Sequence, residues 1–81
     1  MPYIVKERRE LLDKHFDKPD TEGELNYVIT MSVRAYLRRK GMSYATMNAI
    51  VGVLEQVKDE FQRIVIHPYE DGKSAENGEV Y

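Results

Sequence analysis

The chain has 81 residues, is 42% hydrophobic and 32% charged, and carries a formal net charge of −2. That balance fits one globular domain over residues 1–81 and argues against both a disordered chain and a strongly basic nucleic-acid binder. The absence of cysteine removes disulfides and thiolate metal sites and is compatible with the cytoplasm. No apolar run approaches the ~20 residues of a membrane span.

A short first helix is predicted over residues 5–17. Val5, Leu12 and Phe16 fall at i, i+7 and i+11, with Leu11 and His15 beside them. The start, "MPYIVKERRE", lacks a long apolar core followed by small residues, so it does not read as a signal peptide. "DKPDTEG" breaks the helix, because Pro19 cannot continue it and Lys18 before it is biased away from helical geometry.

The second helix is expected to begin near Thr21. Thr21 followed three residues later by Glu24 is a capping-box pattern. Glu22 and Glu24 place negative charge at the positive end of the helix dipole. The inner stripe is read as Leu25, Val28, Ile29, Ser32, Val33 and Tyr36. Arg38, Arg39 and Lys40 crowd the carboxyl end, where cations are favoured, and Gly41 supplies the stop.

The third helix opens at Ser43 as N-cap, after the turn "GMS". Its stripe is the cleanest in the chain: Met47, Ile50, Val51, Leu54, Val57, Phe61, Ile64 and Val65. It is expected to end near Ile66, since His67 precedes Pro68. Residues 68–81, "PYEDGKSAENGEVY", are predicted to form a polar tail, either mobile or docking on a partner.

The fold class is therefore all-α: a short N-terminal helix, a long antiparallel helical hairpin forced by the short turn, and a polar tail. Three helices around one seam make a meagre core for one chain. A homodimer is expected, with two hairpins packed as a four-helix bundle.

Several chemistries are weighed along this frame. Asn26 and Tyr27 lie about 100° and 160° from Leu25 on the helical wheel, so neither points at the seam. Read plainly, Glu24 caps, Asn26 is solvated and Tyr27 packs against the first helix or a partner. The functional alternative is a polar pocket using Glu24, Asn26 and Tyr27 at the helix start, although its two glutamates would repel anions.

No HExxH, GxSxG, phosphate loop or dinucleotide fingerprint occurs in the chain. No catalytic residue, metal site or cofactor is predicted. Glu55 and Asp59 share a face and with Glu24 give a weak acidic-site alternative, either metal binder or enzyme. Ser32 is read as a small residue at a helix crossing.

"RAYLRRKGMSYATMNAI" superficially resembles a helix-turn-helix, with Arg34, Arg38, Arg39 and Lys40 as the cations. The would-be recognition helix, however, carries no Lys or Arg until Lys58. Charge is also uneven along the chain. Residues 1–40 hold nine Lys/Arg against seven Asp/Glu (+2), and residues 41–81 hold three against seven (−4). The acidic tail, with Tyr69, Val80 and Tyr81 as apolar handles, is expected to cross to a neighbouring subunit or engage another protein.

"GELNYVIT", "AIVGVLEQVKDEF" and the ending "PYED…ENGEVY" resemble a family of small uncharacterised proteins from bacteria and their phages, a domain of unknown function. The resemblance runs from Gly23 to Tyr81. It implies that Glu24, Asn26, Tyr27, Glu55, Tyr69, Glu70, Asp71, Asn77, Gly78 and Tyr81 belong to the family pattern, and it supplies no reaction. The glycine at 72 and His67 depart from that pattern.

Taken together, these features predict a cytoplasmic, non-enzymatic module that self-associates and makes protein contacts. Its binding candidates are Glu24, Asn26, Tyr27, Tyr69, Glu70, Asp71 and Tyr81. A nucleic-acid-associated accessory protein using Arg34, Arg38, Arg39 and Lys40 is the alternative.

Overall fold

A computed structural model describes residues 4–14 and 18–78. All its regular structure is helical: α1 (Lys6–Asp13), α2 (Glu22–Lys40), α3 (Tyr44–Phe61), a π-helical turn (Gln62–Ile66) and α4 (His67–Asn77). The chain divides into two units, one ending at Asn48 and one beginning at Ala49.

In the first unit, α1 begins without a side-chain cap. The Val5 carbonyl accepts from the Arg8 and Arg9 amides at 3.1 and 3.0 Å. The helix reaches Asp13, and the Lys14 amide closes on the Glu10 carbonyl at 3.3 Å. His15 and Phe16, expected on its inner face, lie outside the described residues.

Helix α2 starts where its cap predicts. The Glu24 amide donates to Thr21 Oγ1 at 3.1 Å, and the Thr21 hydroxyl donates to Glu24 Oε2 at 3.1 Å. One of the first amides, which a helix end otherwise leaves unpaired, is thereby satisfied, and the Glu24 carboxylate takes the Thr21 hydroxyl. At the other end Gly41 takes φ 92° and gives its amide to the Leu37 carbonyl at 2.8 Å. Nothing crowds a Cβ there, so the glycine is needed for its positive φ rather than for space.

Helix α3 repeats the device. The Thr46 amide donates to Ser43 Oγ at 3.1 Å, and the Ser43 hydroxyl donates to Thr46 Oγ1 at 3.0 Å.

In the second unit the helix does not end at Ile66. It continues to Asn77, which corrects the expected irregular tail over residues 68–81 as far as Gly78. His67 keeps helical dihedrals, φ −62° and ψ −45°, and its amide bonds five residues back to the Gln62 carbonyl. In an unbroken α-helix the Pro68 ring would strike the Ile64 carbonyl and leave it without a donor. The wider π turn makes room, so proline bends the pattern instead of ending it. Gly78 then closes α4 at φ 82°, its amide on the Ser74 carbonyl at 2.8 Å.

None of the described side chains is buried. In α2 the half-buried positions are Val28, Met31, Val33 and Leu37. Leu25, Ile29 and Tyr36, expected on the inner face, are exposed. Ser32 is exposed too, and its hydroxyl bonds the Val28 carbonyl at 2.9 Å, one turn back, so a local bond replaces the expected role at a helix crossing. Of the α3 stripe only Ile50 is half-buried; Val57 is 60% and Phe61 55% exposed.

Candidate functional site

The start of α2 gathers three of the predicted binding residues. Glu24 is engaged locally by the Thr21 cap. Asn26 Oδ1 accepts from the Thr30 hydroxyl at 3.3 Å, one turn along. Tyr27 is 65% exposed.

Two shallow, solvent-open recesses flank the Tyr27 ring. One is lined by Lys18, Pro19, Gly23, Glu24, Tyr27 and Val28. The other lies among Glu22, Gly23, Asn26, Tyr27 and Thr30. Gly23 precedes Tyr27 by four residues and so lies on the same helical face. Lacking a side chain, it lines both recesses with backbone alone. Sequence reasoning missed Gly23, Lys18 and Pro19 here; the glycine four residues before an exposed tyrosine was the available signal.

The basic group occupies the last two turns of α2. Arg34 and Arg38, four residues apart, share a face, while Arg39 and Lys40 diverge from it. Lys40 Nζ lies 5.9 Å from the centroid of the Tyr36 ring, within reach of a cation–π attraction. All four cations are exposed. Among the described residues, the only ion pairs are Lys58–Glu55 at 2.9 Å, Arg63–Glu60 at 2.7 Å and Lys73–Glu76 at 3.5 Å, so none involves these cations.

On α4, Tyr69, Glu70 and Asp71 are exposed in the first turns. Lys73 Nζ sits 5.6 Å from the Tyr69 ring centroid. Tyr81 and Val80 lie outside the described residues. Of the acidic pair on α3, Glu55 is held by Lys58, and the hydrogen bond and charge of Glu55 push the Lys58 pKa up. Among the described residues no group of three or more His, Asp or Glu is arranged to hold a metal ion. No described helix is long and apolar enough to cross a membrane.

The model of one protein family, a domain of unknown function (DUF6899), matches residues 1–80. The chain belongs to this family. The match takes in both helical units. No curated protein and no solved structure matches the chain.

Proposed function

We propose that this DUF6899 protein is a small, non-enzymatic module that self-associates and makes protein contacts. One observation carries the reading: no described side chain is buried, while the apolar stripe of α3 lies exposed. A contiguous apolar face of this kind marks an association surface in a water-soluble chain. Burying each such side chain contributes about 1.5–3 kcal/mol. A homodimer in which α2 and α3 form hairpins that pack as a four-helix bundle would cover it. The protein then acts as one domain in the cytoplasm, where a chain without cysteine forgoes no disulfide. The likeness of "GELNY" and "PYED…ENGEVY" to small bacterial and phage proteins fits such an accessory role.

Sedimentation velocity from nanomolar to tens of micromolar tests the reading. A rise from monomer to dimer mass is expected, and a monomer throughout would refute it.

A second reading draws on the four exposed cations at the end of α2, which form no ion pair among the described residues. It makes the chain a nucleic-acid-associated accessory protein using Arg34, Arg38, Arg39 and Lys40. Its test is binding of a labelled duplex across a salt series. Phosphate contacts by these cations predict affinity falling steeply with salt, and no binding at low salt removes the reading.

A further inference from the structure

Within the exposed stripe, Met47, Ile50, Leu54, Val57 and Phe61 are spaced three, four, three and four residues apart. That alternation is the seven-residue repeat of a two-helix seam, with the exposed Val51 and Val53 on its two flanks. All five lie on the unbroken α-helical part of the stripe, ahead of the π turn. Only Ile50 is half-buried; Leu54, at the centre, is 41% exposed.

The spacing is also self-complementary. From Ile50 to Phe61 the intervals are four, three and four, which read the same in both directions. A face with that property fits its own copy across a two-fold axis, where each contact is made twice.

Charge selects the direction. Arg34, Arg38, Arg39 and Lys40 precede α3 by a three-residue link, and Asp59, Glu60, Glu70 and Asp71 lie at or beyond its far end. Among the described residues, neither the four cations nor Asp59, Glu70 and Asp71 enter the ion pairs formed. Two parallel copies would bring eight cations together at one end and the acids together at the other. Two antiparallel copies bring opposite charges together at both ends and oppose the helix dipoles. Such exposed charges contribute little affinity, but like-charge juxtaposition excludes the wrong orientation.

We infer that α3 pairs antiparallel with α3 of a second copy of this chain, Leu54 against the partner's Val57 and Ile50 against the partner's Phe61. The inference rests on the self-association proposed above and adds its surface, orientation and register. The same register sets Met47 against the partner's π turn.

The test uses the absence of native cysteine. Tyr44, the first residue of α3, is 84% exposed and lies outside the seam. A Tyr44→Cys variant of the full chain carries one nitroxide label, and the label-to-label distance is read by pulsed dipolar spectroscopy. In the antiparallel register, residue 44 of the two copies is separated by about 35 Å along the axis, at ~1.5 Å per residue. In a parallel pair the separation is close to the ~8–10 Å between helix axes.

A dimer with a distance near 35 Å supports the inference. A dimer with a distance below about 20 Å, nearer the parallel spacing, overturns the orientation and leaves self-association standing. A monomer at every concentration, with no dipolar signal, overturns both.

Discussion

Helices α2 and α3 are nearly equal in length, 19 and 18 residues, and begin in the same way. A hydroxyl at the N-cap, Thr21 or Ser43, takes the amide three residues on at 3.1 Å. Their faces differ. In α2 the apolar side chains are scattered, the better-covered ones being Val28, Met31, Val33 and Leu37, and the helix ends in a cationic run. In α3 they fall on one continuous flank left largely exposed, and charged residues gather only toward its carboxyl end. Equal local signals thus make two equal helices with unequal destinations.

The strongest way to break that contrast is to put a charge on the flank of α3. Leu54→Lys removes a packed leucine from each side of the proposed pair. At ~2–5 kcal/mol for each of the two lost leucines, the dimer Kd should rise by roughly 700-fold or more. Sedimentation equilibrium reads the change, and an unchanged dissociation constant would show that the flank is not the contact. The matching change on α2, Leu25→Lys, lies outside the proposed α3–α3 seam and should weaken the assembly far less than Leu54→Lys.

The charges at the two ends give a smaller effect. Arg38→Glu with Arg39→Glu should weaken the dimer several-fold, as should Glu70→Lys with Asp71→Lys. Combining all four should recover most of the loss, because the opposite signs are then exchanged and not removed. The recovery should fade at high salt, where the Debye length shrinks from ~10 Å at 0.1 M to ~3 Å at 1 M. Additive losses in the combined variant would separate the charges from the orientation.

Next come the helix ends. Gly41→Ala forces a side chain onto φ 92° and ψ 152° and should destabilise the fold by roughly 1–3 kcal/mol. Gly52→Ala, inside α3 where a Cβ meets nothing within 4 Å, should stabilise it by about 1 kcal/mol. Thr21→Ala and Ser43→Ala should each cost about 1 kcal/mol, and urea unfolding reads all four. A pronounced difference between the two caps would mean that the helices are not locally equivalent.

The smallest effect concerns Lys58. Glu55→Gln removes the hydrogen bond and charge that hold its pKa up, so the pKa should fall toward the ordinary lysine value in an NMR titration. Because the folded value is the higher one, the pair's contribution is complete below the unfolded lysine pKa and lost as pH rises through the folded pKa. Stability near neutral pH should therefore not respond to pH through this pair.

Much of the helical framework was legible in the residues. The Thr21 cap, the Ser43 cap and the Gly41 stop stand where the pattern put them, because each depends on bonds spanning three or four residues of one chain segment. For the same reason the local bonding of Glu24 follows from its place three residues after Thr21. The recesses lined by Tyr27 were less legible, since Lys18, Pro19 and Gly23, which line them too, form no polar motif.

By itself the sequence determined that the chain is helical, where α2 and α3 begin, and that one face of α3 is apolar. Only the tertiary structure decided that the helix runs on past Pro68 to Asn77 and that the apolar face stays uncovered. A proline's effect depends on whether the backbone can reroute a bond, as His67 does to Gln62. The covering of a face depends on which other surfaces reach it. Both are settled by the arrangement of groups in space, which short-range periodicity does not encode.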